Sequence, residues 1–171
     1  MKFFKIFLLI FFITVGITSS QGRVVSTVPI NISLVKGLGL NVIQNSLDFG
    51  EIITAPGTNN ISRNASEGII FEISGNPGKN VSISYSAAEL TNSTWAEIFG
   101  GEKSNLTFQP EVYISTAKNS TSLEKISNGS IVNLDKESDG KILVNIGGNL
   151  SLASNQPDGD YQGNISLTVS Y

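Results

Sequence analysis

Apolar residues recur at every second position through much of the chain, which is the period of a β-strand with one buried face. Val28, Ile30, Ile32 and Leu34 alternate with Pro29, Asn31 and Ser33, and Val81, Ile83 and Tyr85 alternate with Asn80, Ser82 and Ser84. Ile142, Val144 and Ile146 continue the pattern, followed by Leu150 and Leu152. The last stretch is the most regular, with Ile165, Leu167, Val169 and Tyr171 set against Asn164, Ser166, Thr168 and Ser170. Such segments predict half-buried antiparallel strands. Between them stand Ala55-Pro56-Gly57, Gly75-Asn76-Pro77-Gly78, Asn128-Gly129, Asp139-Gly140, Gly147-Gly148 and Pro157-Asp158-Gly159-Asp160. Glycine supplies positive φ and proline presets its own, so each of these is expected to reverse the chain. Short strands punctuated by turns about every 8–12 residues predict an all-β antiparallel sandwich of roughly eight or nine strands. Only Ser86–Phe99 relaxes the alternation, and either a short helix or an irregular crossover fits there.

The first residues follow a different rule. Lys2 and Lys5 precede an aliphatic and aromatic run from Ile6 to Ile17, and Thr18, Ser19 and Ser20 supply small side chains after it. This pattern predicts a secretory signal peptide over residues 1–20, cleaved before Gln21. The run is shorter than the roughly 18 residues a membrane-spanning helix needs, and no later segment is long enough, so no membrane span is expected in the mature chain. The expected layout is a signal peptide at 1–20, an N-terminal strand segment at 21–46 and a sandwich domain at 47–171.

Export places the mature chain in the periplasm, at the cell surface or outside the cell. It would carry nine basic and fourteen acidic residues, a net charge of −5. That balance argues against nucleic acid or an anionic membrane as a partner. The chain has no cysteine, so packing alone must hold a domain that meets oxidising surroundings.

With no histidine either, Ser-His-Asp and Cys-His nucleophiles and the usual zinc sites are excluded. Carboxylates remain, but a glycoside hydrolase needs two of them facing one cleft, and scattered acids on solvated faces are the ordinary case. No enzymatic activity, cofactor, catalytic residue or metal ligand is therefore assigned. Asp135–Gly140 and Asp158-Gly159-Asp160 could offer oxygens to calcium, yet neither has the spacing of an EF-hand, and hairpin turns suffice. Ten Asn-x-Ser/Thr sequons occur, several of them only the outward face of an alternating strand, as at Asn80/Ser82 and Asn164/Ser166. Trp95, the sole tryptophan, could stack on a sugar together with Phe99, although core burial is the expected fate of such aromatics.

Leu47-Asp48-Phe49-Gly50-Glu51-Ile52, followed much later by Gly159-Asp160-Tyr161-Gln162-Gly163 and the strand ending at Tyr171, resembles the bacterial family called domain of unknown function 4402. Leu47, Phe49, Gly50, Gly159, Tyr161 and Gly163 carry the resemblance, with the Ser74–Gly78 turn and Gly147-Gly148 between them. The likeness implies an immunoglobulin-like sandwich on a bacterial surface or in the periplasm, with ends similar to those of fimbrial subunits. Two segments are candidate assembly strands: Val28, Ile30, Ile32 and Leu34 near the amino terminus, and Ile165, Leu167, Val169 and Tyr171 at the carboxyl terminus. Each either closes this domain's own sheet or serves strand addition, with like subunits or a periplasmic chaperone as partner. The expected role is structural or adhesive; a stand-alone carbohydrate- or calcium-binding surface module is the alternative.

Overall fold

The computed structural model describes residue 32 and residues 36–53, 59–116 and 119–171. The signal peptide expected at 1–20, the alternating segment before Lys36 and the turn expected at Ala55-Pro56-Gly57 lie outside the described residues. Ile32 is the exception, with its side chain 77% exposed.

Among the described residues ten strands appear in the order β1 (Gly39–Gln44), β2 (Asn59–Arg63), β3 (Ile69–Ser74), β4 (Asn80–Tyr85), β5 (Ala88–Thr91), β6 (Asn105–Thr116), β7 (Asn119–Ile126), β8 (Ser130–Asn133), β9 (Lys141–Leu152) and β10 (Leu167–Ser170). A short helix, α1 (Ser93–Phe99), follows β5, and a 3-10 turn, Ala65–Glu67, joins β2 to β3. All ten strands fall in the unit Leu34–Tyr171. They form a seven-stranded sheet and a three-stranded sheet, β10-β4-β8, with antiparallel pairing throughout. The all-β sandwich expected from alternation and turn spacing is the fold observed.

The larger sheet is organised around β9. Along one edge β9 pairs with β3 and then β2; along the other it pairs with β6 from Phe108 opposite Leu150 to Thr116 opposite Ile142. Its alternating Ile142, Val144 and Ile146 face Val81 and Ile83 of β4 and Val132 of β8, with Ile73, Val112, Ile126 and Leu134 completing a dry cluster between the sheets. Burying such aliphatic side chains is worth about 1.5–3 kcal/mol each, which is what secures a cysteine-free sandwich.

Gly147-Gly148, expected to be a turn, lies inside β9. The reason is close approach. A Cβ on Gly147 would collide with backbone atoms of Arg63, Asn64 and Ala65, where the chain leaves β2 and enters the 3-10 turn. Gly148 has φ 155°, and its missing side chain leaves room for Gln109 and the Phe108 ring on the opposite flank. Glycine here lets two neighbours crowd one strand without ending it. The relaxed segment from Ser86 resolves into β5 followed by α1, which closes at Gly100 with left-handed φ 79°.

Gly147→Ala should therefore cost about 3 kcal/mol, because the added methyl meets backbone that cannot rotate away. Urea unfolding of the two proteins measures the difference; a loss within the ordinary ~1 kcal/mol of a strand substitution would contradict the crowding.

Candidate functional site

The two sheets differ in width, and the narrower one covers only part of the larger. Beyond it lies a second apolar cluster, Ala88, Leu106, Phe108, Leu150 and Leu152, contributed by β5, β6 and β9. No strand covers this cluster among the described residues. Two irregular segments do: Leu47, Phe49 and Ile52 pack on it from one side, and Tyr161 and Ile165 from the other. Between and around them runs an open groove of about 1200 Å³. Its floor reaches from Val42, Ile69 and Phe71 across to Leu150 and Leu152, and it ends at the Gln156–Gln162 loop.

Sparse bonding holds the first covering segment. Phe49 meets Phe108 edge to face, with ring centroids 6.0 Å apart. Arg63 Nη2 donates to the Phe49 carbonyl at 3.2 Å, while the Arg63 Nε is buried without a hydrogen-bond partner. Gly50 takes φ 70°, and its N–H donates to the Asp48 carboxylate at 2.8 Å, which turns the chain so that Leu47 and Phe49 point down while Asp48 stays exposed.

The second segment is braced more firmly. Tyr161 Oη donates to the Pro157 carbonyl at 2.8 Å and accepts from Gln156 Nε2 at 2.7 Å. Thr91 and Gln162 exchange two backbone hydrogen bonds of 2.9 and 3.0 Å, so the segment is stitched to the end of β5. Gly163 permits this, since a Cβ there would collide with the Glu89 carbonyl and Leu90.

Past Tyr161 the chain becomes β10, an edge strand whose only described partner is β4. Ile165, Leu167 and Val169 are half-buried against the main cluster. Tyr171, expected to face inward with them, is 52% exposed and works through its hydroxyl instead. That hydroxyl donates to the Lys36 carbonyl at 2.6 Å and accepts from the Asn76 N–H at 2.8 Å, clasping the terminus to two distant parts of the chain.

Of the residues singled out in the sequence, Leu47, Phe49 and Tyr161 converge on one cluster, and Gly50 and Gly163 shape the segments that carry them. Gly159, with φ 140°, packs instead against Trp95 and Asn92. Val28, Ile30 and Leu34 lie outside the described residues.

Sequence reasoning missed Asn92, where it registered only a sequon. This side chain is wholly buried. Its Nδ2 donates to the carbonyls of Glu102 (2.9 Å) and Asp158 (3.0 Å), and its Oδ1 accepts from the Ser104 N–H (2.7 Å). It thereby ties the entrance of α1, the approach to β6 and the groove-end loop into one corner, and it has no room for a glycan. Its signal could have been its place at the start of a helix, where Asn is favoured.

Trp95 is half-buried rather than core, and Phe99 beside it is 68% exposed. The Asp135–Gly140 segment is a turn in which the Asp135 carboxylate accepts from Glu137 N–H and Ser138 Oγ. No cluster of three potential metal ligands occurs among the described residues, and none of their helices is long and apolar enough to cross a membrane.

The fold and groove define an antiparallel β-sandwich in which a narrow sheet leaves part of a wide one to two irregular segments. The chain belongs to the family described as domain of unknown function (DUF4402), whose model matches residues 40–171. No curated protein matches it.

Asn92→Ala should destabilise the protein by about 2–4 kcal/mol, since it strands buried donors and acceptors at three separate places. Tyr171→Phe should cost about 1–2 kcal/mol through the two lost hydrogen bonds. Urea unfolding gives both values, and an Asn92→Ala protein as stable as the parent would show that the corner is held by something other than this side chain.

Proposed function

We propose that this chain is an exported, fimbria-like structural or adhesive protein of a bacterial cell surface, without enzymatic activity, that assembles with like subunits by strand addition. The observation that carries the reading is the edge strand β10, which follows directly on the Gln162–Ile165 wall of an apolar groove that no strand covers among the described residues. An unpaired strand edge offers N–H and C=O groups to an incoming extended chain, and the apolar floor takes its alternate side chains.

Charge complementarity supports a second copy as the source of that chain. The described groove lining contains Asp48, Glu51, Asp158 and Asp160 and no Lys or Arg. Segment Arg23–Lys36 has a basic residue at each end, apolar residues at Val28, Ile30, Ile32 and Leu34, and no acid; indeed no acidic residue precedes Asp48. A periplasmic chaperone strand with the same alternation would satisfy the same edge.

Deleting Gly22–Leu34 from the mature chain should leave a folded protein that sediments as a monomer at concentrations where the parent forms higher species. If the deleted protein unfolds, the segment is a strand of its own domain and the proposed assembly fails. A parent that stays monomeric at every concentration would equally count against it.

A further inference from the structure

Trp95, Ile98 and Phe99 line one side of α1 at spacings of three and four, the spacing that brings helical side chains together. The core does not absorb them. Ile98 and Phe99 are 69% and 68% exposed, and Trp95 is half-buried. The indole is held from behind: added Cβ atoms at Gly101 and Gly159 would strike its ring, so backbone lies directly against it on both sides of the corner. Asn92, with its three hydrogen bonds, fixes those same backbone segments. Phe99 sits 5.4 Å from the indole, its ring tilted by 40°. An aromatic pair is thus displayed on a braced corner at the end of the groove.

The size and charge of this patch restrict its occupant. Two largely exposed side chains and an indole edge present on the order of 300 Å² of apolar surface, well below the ~800 Å² per partner of a stable protein interface. They match one or two sugar rings, whose C–H faces carry partial positive charge and settle on the negative face of an aromatic ring. The elements that build this corner are rich in carboxylates. Glu97 on α1 is paired with Lys103 at 2.6 Å, and Glu102, Asp158 and Asp160 belong to the bracing loops. The Lys103 ammonium holds the Glu97 carboxyl below its ordinary range, by hydrogen bond first and by charge second, so the pair remains ionic at neutral pH. Four carboxylates against one already paired ammonium disfavour an acidic sugar or an anionic membrane.

We infer that the Trp95–Phe99 corner is a binding site for a neutral pyranose, such as the exposed sugar of a glycan chain. It goes beyond the assembly proposed above; the two share the Asp158–Asp160 loop, but the ring pair Trp95 and Phe99 is no part of the groove lining.

Because Trp95 is the sole tryptophan, its emission reports the site directly. The mature protein would be titrated to tens of millimolar with methyl α-mannoside, lactose, chitotriose and cellotetraose, and with sialyllactose as the acidic counterpart. A saturable change in emission is expected with at least one neutral probe. Phe99→Ala, a substitution of an exposed side chain, should weaken that binding at least tenfold while the urea midpoint and the sedimentation of the assembled protein stay as in the parent. Silence with all four neutral probes, an unchanged titration in Phe99→Ala, or tighter binding of sialyllactose than of lactose would each overturn the inference. A parent protein that binds a neutral probe but stays monomeric would count against the strand-addition reading alone.

Discussion

The structure depends on the burial of β9 between neighbours on both of its edges. A strand paired along one side with β2 and β3 and along the other with β6 has no solvent edge, and its inward aliphatic side chains reach across to β4 and β8. Pairing this dense demands that backbone approach backbone, as it does at Gly147 and Gly148 within β9 and at Gly68 against the Ile146 carbonyl. In a chain without disulfides, this packed centre holds together segments far apart in sequence.

The groove is a consequence of the same centre. The long strands β6 and β9 extend beyond the three-stranded sheet, so Leu106, Phe108, Leu150 and Leu152 need cover that β10, β4 and β8 do not supply. Leu47–Ile52 and Tyr161–Ile165 provide it with side chains rather than with a hydrogen-bonded ladder, which leaves a groove open up to Ile165, just before β10. That need for cover accounts for the residues behind the family resemblance, since Leu47, Phe49 and Tyr161 lie over the cluster while Gly50 and Gly163 allow their segments to turn or pass close. The proposed assembly and the proposed sugar site use different parts of the result, an open strand edge in one case and a rigid corner in the other. A protein with both would be held in a polymer through the groove and strand edge while presenting aromatic rings at the corner.

Much of this was legible in the residues, for a physical reason. Two-residue alternation reports which strand face meets an apolar environment, so Val81, Ile83, Ile142, Val144 and Ile146 could be assigned to a core without knowing their partners. Turn chemistry is equally local, as the left-handed Gly78, Gly129 and Gly140 illustrate. Gly147-Gly148 has the same composition as a turn but answers a crowding that comes from Arg63–Ala65 and Gln109, and no local rule reports that. Asn92 resembled a sequon because its acceptors, at Glu102 and Asp158, lie 10 and 66 residues away.

The sequence alone therefore determined an all-β sandwich, the positions of β4, β9 and β10 and the absence of cysteine and histidine chemistry, because period, turn residues and composition are properties of neighbouring residues. Tertiary structure decided which cluster would lack a covering sheet, that Tyr171 would clasp Lys36 and Asn76 instead of facing inward, and that Trp95 and Phe99 would sit at a surface corner. Each of those outcomes depends on the relative lengths and crossings of strands distant in the chain, which hydrophobic period does not encode.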